Sequence, residues 1–171
     1  MGQPITRSSI EPHASSQELA TVNQPIAIFH RVLDFRVQGL DQNTLRVVAG
    51  LEDMMHHFIL NVDVRAPEMV IASAVLEIPR YPNRRCLLIR PALAKLQGLK
   101  IERGFTDRVK TFLSGPQGCT NVFNLVVNAV PLALNTRDTL PYFFSGQSFT
   151  ESRDKMKAIM KDQCIAWSEN K

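Results

Sequence analysis

Four residues of this chain carry side chains suited to binding or covalent chemistry and stand where a fold could gather them: His56, His57, Cys86 and Cys119. Imidazole and thiolate are the ligands that zinc, iron and iron–sulfur clusters take. Cys119 opens a predicted helix, where free backbone N–H groups and the helix dipole favour a thiolate. Cys86 precedes another helix, and the histidine pair begins a strand. Residues at element ends can meet at one end of a sheet. Asn121 would lie adjacent, and Glu52 or Asp53 could add a carboxylate. No C-x-x-C pair is present. The same residues also fit a plainer arrangement of two half-exposed histidines and two small core thiols. A further arrangement makes Cys119 a nucleophile with His56 or His57 as its base.

The elements that must position these groups are legible from periodicity. Residues 26–37 alternate, with Phe29, Leu33, Phe35 and Val37 on one face. A turn is expected at 39–43, and a second strand at 45–51 with Gly50 as a bulge. In 57–65, Phe58, Leu60, Val62 and Val64 point one way. In 70–78, Val70, Ala72, Ala74, Leu76 and Ile78 do so. Short turns between consecutive strands make an antiparallel meander over 26–78.

Helices follow. One is expected over about 88–97, with Pro91 in its first turn, Leu93 and Leu96 inward and Gly98 as cap. The next covers about 103–113, where Phe105, Val109, Phe112 and Leu113 share a face. Gly115 and Pro116 end it. A mostly apolar helix at about 119–134 is kinked or ended by Pro131. Residues 135–146 read as a loop exposing Tyr142-Phe143-Phe144. Ser148 to Glu151 has capping-box spacing ahead of a final helix at about 151–167, striped by Met156, Ile159, Met160, Gln163 and Trp167. The class is α+β, a four-stranded meander with helices on one face. Residues 25–171 form a single domain, and the Ser-, Thr-, Gln- and Pro-rich residues 1–24 a flexible arm.

Hydrophobic content of 44% and charged content of 21% are globular values. The net charge is +4 and the pI about 9.2. Arg80, Arg84, Arg85 and Arg90 cluster, yet lack the aromatic interleaving of a nucleic-acid surface, and read as a solvated loop. No phosphate loop, dinucleotide fingerprint, zinc-protease helix or serine-hydrolase elbow is present, which removes the common nucleotide enzymes. Three cysteines without paired spacing and without a signal pattern imply reduced thiols in a cytoplasm. No apolar run reaches the roughly 18 residues of a membrane span.

The stretch 98–120, G-L-K-I-x-x-G-F-x-x-x-V-x-x-x-L-x-G-x-x-G-C-T, resembles the signature of a bacterial domain-of-unknown-function family. That family reads G-L-x-I-x-x-G-F and then G-C-T-H-L. The resemblance runs from about 26 to 146. It takes in His56-His57-Phe58 for an upstream H-D-M, and Tyr81, Pro82 and Cys86 for P-Y-x-x-C. Pro141, Phe143, Phe144 and Gly146 stand for P-F-F-x-x-G. It implies a bacterial protein without an established activity. The family's histidine after G-C-T is Asn121 here, and its aspartate is His57. If the family binds a metal through Cys86, Cys119, His56 and that histidine, this chain has lost a ligand or replaced it with His57. A fainter topological similarity, a meander with cysteines at following helices, is to iron–sulfur scaffold proteins.

The expected function is a non-enzymatic binding or accessory role, with a Cys/His site at one end of the sheet for zinc, iron or an iron–sulfur cluster. The alternatives are a Cys119-nucleophile enzyme and a structural homodimer joined through Tyr142-Phe143-Phe144 and the last helix.

Overall fold

The structure, a computed structural model, describes residues 27–146, 149–162 and 165–168. The expected arm at 1–24, the Ser148 cap, Gln163 and Cys164 lie outside the described residues. Four strands form one antiparallel sheet in the order β1-β2-β3-β4. They are β1 (Arg31–Asp41), β2 (Thr44–Asp53), β3 (His57–Arg65) and β4 (Val70–Arg80). The fold is α+β, with this sheet followed by helices.

Period-two alternation dictates which face is buried. Leu45, Val47, Ala49 and Leu51 of β2 and Phe58, Leu60, Val62 and Val64 of β3 point into the core. Arg46, Val48, Asn61 and Asp63 occupy the outer face, where Arg46 Nε donates to Asp63 Oδ1 at 2.7 Å. β3 has the expected bounds. β1 begins later than expected, at Arg31, and runs through the expected turn, leaving Gln42 and Asn43 to reverse the chain. Asp41 Oδ1 accepts from the Asn43 N–H at 2.7 Å, the local bond that Asp offers a turn.

Two irregularities differ from the expected pattern. Gly50 is no bulge: it pairs in regular register with Asp34 and Ile59. The bulges fall instead at Leu40 of β1 and Ala72 of β4, with another shift where His57 meets the end of β4. Val64 pairs with Ile71 and Asp63 with Ser73, so Ala72 is the extra residue. Ile71 is therefore buried while Val70 and Ala72 are half-buried. Beyond the bulge Leu76 and Ile78 point inward as expected.

The helical part is more broken than its apolar spacing suggests. Where one helix was expected at 88–97, a 3₁₀ segment (Arg84–Ile89), a single α-turn α1 (Arg90–Leu93) and another 3₁₀ turn (Ala94–Leu96) follow one another. Ile89, Leu93 and Leu96 still reach the core. Helix α2 (Phe105–Leu113) buries Phe105, Val109 and Leu113. Helix α3 (Thr120–Ala129) buries Val122, Leu125, Val126 and Ala129 and packs on α2 and β2. Pro131 ends α3, and α4 (Leu132–Arg137) resumes beyond it.

Residues 135–146 are not a loop. α4 extends to Arg137, and Leu140–Ser145 form α5, with Pro141 in its first turn. Gly39 of β1 lets α5 approach. A Cβ there would stand 2.8 Å from Leu140 Cδ1 and 2.9 Å from Phe144 Cε2. The final helix α6 is Phe149–Met160, shorter than expected; Asp162 at φ 58° breaks it, and Ile165–Trp167 is a 3₁₀ turn. No described helix is long and apolar enough to cross a membrane.

Candidate functional site

Cys86 is positioned by a local turn. Asn83 caps the 3₁₀ segment that follows β4: its side chain accepts from the Arg85 N–H at 2.8 Å and its carbonyl from the Cys86 N–H at 2.9 Å. That capping is what an Asn after Pro82 offers. Cys119 is the residue before α3, in extended conformation, and its carbonyl accepts the first helical bond, from Phe123 N–H at 2.8 Å. The expected placement of a thiol at a helix start is therefore the one found.

Gly118 fixes where that start lies. The Cys119 N–H donates to Leu113 O at 2.9 Å, which draws the α2–α3 connection tightly over the last turn of α2. A Cβ on Gly118 would land on the Leu113 carbonyl, so the close approach needs glycine. The connection then returns Cys119 to the neighbourhood of the 84–89 segment.

The two thiols meet on one cavity of about 410 Å³, walled by Arg85, Cys86 and Leu88 on one side and by Pro116, Gly118 and Cys119 on the other. Both cysteines are half-buried and free. Cys119 also packs against the core. The cavity thus combines two sulfur donors, an apolar wall and one guanidinium.

The histidines have other surroundings. His56 closes the β2–β3 turn. Its N–H donates to Asp53 Oδ1 at 2.7 Å, its Nδ1 lies 3.1 Å from the same oxygen, and its ring meets Phe58 edge-on at 5.4 Å. Asp53 is the hub. Oδ1 also accepts from Met55 N–H at 2.8 Å, and Oδ2 accepts from Arg31 Nε at 2.9 Å and Nη2 at 2.6 Å. Arg80 Nη2 donates to the Asp53 carbonyl at 2.6 Å. Burial alone would push the Asp53 carboxyl up; the Arg31 guanidinium, the two backbone N–H groups and His56 outweigh it and hold the carboxyl well below the usual carboxylate range. His57 is half-buried on the outer face, opposite Glu52 and Arg80 in the sheet register.

The structure therefore gathers Cys86 with Cys119, and His56 with Asp53, in two places. Neither histidine lines the thiol cavity, and neither does Asn121, the second residue of α3. Among the described residues, no three of His, Cys, Asp and Glu are grouped as a metal ion would need. Glu52, the other carboxylate considered, is engaged by Arg80 Nη2 at 3.1 Å. Sequence reasoning missed the hub role of Asp53 and its bond to Arg31, a pairing between strands that spacing along the chain cannot display. It also missed Arg85 as a wall of the thiol cavity. The Asn83 cap was the available signal for it.

No curated protein and no solved structure matches the chain. A protein-family match runs over residues 25–135. It holds all four strands, α1 to α3, both thiols, both histidines and Asn121, and it stops short of Pro141, Phe143, Phe144 and Gly146. With the sheet and the thiol cavity inside that span, the chain belongs to the family described as Protein of unknown function (DUF2889).

Proposed function

We propose that the protein is a binding or accessory domain whose ligand enters the cavity between Cys86 and Cys119. The observation that carries this reading is that two cysteines from separate elements wall one cavity, with an arginine beside them. Two sulfur donors suit a soft ligand. They are two short of the four that close a structural zinc site or hold an iron–sulfur cluster. The fitting ligand is therefore a thiolate-seeking metal ion held by two protein sulfurs, with its remaining positions filled by water or by the molecule that gives or takes the ion. His56 and His57 stand outside this ligand set. Reduced thiols in this role belong to a reducing compartment, and the reading takes a bacterial cytoplasm as the setting.

The test uses reduced protein with Cys164→Ser, so that only the two cavity thiols remain. Phenylarsine oxide, which needs two neighbouring thiols, should bind at one equivalent, and Zn²⁺ or Cu⁺ should be retained on dialysis. Cys86→Ser and Cys119→Ser should each reduce retention at least about tenfold, the loss expected for a missing ligand. Protein that retains neither the arsenical nor a metal ion, or retains both in each single variant, overturns the reading.

A further inference from the structure

β1 is an edge of the sheet that is open along its whole length among the described residues. Its strand neighbour is β2, and no described residue pairs with its other side. The opposite edge differs. Ile71 N–H donates to Leu99 O at 2.9 Å, Gly98 N–H to Ile71 O at 2.9 Å and Ile101 N–H to Met69 O at 2.7 Å, so the segment 98–101 closes the start of β4. An 11-residue strand with an unused row of backbone donors and acceptors is a template for another strand.

Charges on an edge strand ordinarily discourage pairing. The order of the charges in β1 reverses that for one kind of partner. Asp34 and Arg36 stand two residues apart on the outer face, ion-paired at 2.8 Å, with 51% and 63% of their side chains exposed. A second β1 laid antiparallel, with a two-fold axis at Phe35, sets Asp34 of each copy opposite Arg36 of the other. The four charges then alternate in sign. The same register sets Leu33 of one copy opposite Val37 of the other on the inner face.

That inner position is apolar and incompletely filled. Leu33 is 47% exposed and Phe143 is 77% exposed. Beside Val37 lies a cavity of about 320 Å³ walled by Gly39, Leu45, Leu140, Phe143 and Phe144. The geometry points to a homodimer in which the two β1 strands pair about Phe35, and Leu33 of each copy enters the cavity between β1 and α5 of the other. Backbone bonds supply the pairing, and the Asp34–Arg36 order selects a second copy of this chain over an unrelated strand.

Sedimentation velocity of the full chain over a concentration series tests the proposal. A dimer is expected. Asp34→Arg alone and Arg36→Asp alone each place like charges opposite one another and should weaken association at least about tenfold. The double exchange D34R with R36D should restore it. Independently, Phe35→Cys, in a chain whose Cys86, Cys119 and Cys164 are replaced by Ser, should form a disulfide-linked dimer with oxidised glutathione, since the axis sets the two residues face to face. A chain that stays monomeric at every concentration, because its own N-terminal residues or another protein takes the edge, overturns the proposal. So does association that the single reversals leave unchanged, or that they abolish and the double exchange does not recover.

Discussion

Gly118 has no room for a methyl group, and the thiol next to it is placed by that fact. Gly118→Ala should cost about 1–3 kcal/mol, the usual range for forcing atoms into a packed site. A lower urea midpoint with an unchanged slope would show it. Because Cys119 follows directly, the same variant should lose its one-equivalent reaction with phenylarsine oxide. Asp53 is the other residue on which much depends. Its side chain is fully covered, and two guanidinium donors, two backbone N–H groups and an imidazole converge on it. Asp53→Asn removes the charge that Arg31 needs and should cost about 2 kcal/mol, within the range for hydrogen bonds to charged groups. Thermal melting of the variant at neutral pH measures it. Neither dependence is visible along the sequence. Cys119 could be placed at a helix start because Gly115, Pro116 and Gly118 mark the turn, but what Gly118 touches is a carbonyl five residues back.

Among the elements, β3 was fully legible because strict alternation over 57–65 leaves one register and one face. β4 was legible in extent and wrong at one end, because an extra residue at Ala72 shifts the face without changing composition. The segment 84–96 shows the limit of apolar spacing. Leu93 and Leu96 point inward in an α-helix or a 3₁₀ turn alike, so burial was foreseen and the breaks were not. α5 reads as a loop in the sequence because Pro141 and three consecutive aromatics suggest exposure; its partner is Gly39, about a hundred residues earlier, and no local pattern reports that. The contact gives an element-level prediction. Gly39→Val puts branched carbon where Leu140 and Phe144 stand. Amide exchange across 140–145 should quicken at least about tenfold while 57–65 keeps its protection, since the opening is local.

At the scale of the molecule, three carboxyls among the described residues ionise below their ordinary range: Asp53 as described, Asp63 through its bond from Arg46, and Asp138 through its bond from Arg137. The folded state therefore releases these protons at lower pH than the unfolded chain. Their stabilisation is present above the unfolded value of about 3.9 and drains away as pH falls below it. Urea midpoints should hold steady from neutral pH to about 5 and fall steeply below 4, with Asp53→Asn flattening the fall. Composition forecast a chain able to form a core, and the α+β class followed from strands preceding helices. The site was half legible. Cys119 stands at a helix start and His57 at a strand start, as their positions suggest, while Cys86 lies inside the 3₁₀ segment; which residues share a cavity depends on how 84–96 folds back, and that is a tertiary fact.

The two sheet borders are unequal, and the inequality bears on where a further strand can add. Segment 98–101 occupies the beginning of β4 with the chain's own backbone, and α1 and the turn after it lie against the same strand. The covered stretch is short: beyond Ile71 no described backbone pairs with the outer side of β4, which runs on to Arg80. Fibrils require recruitment at both borders, and the chain's own backbone over the beginning of β4 shortens the stretch that a further strand could use there, whereas β1 offers its whole length.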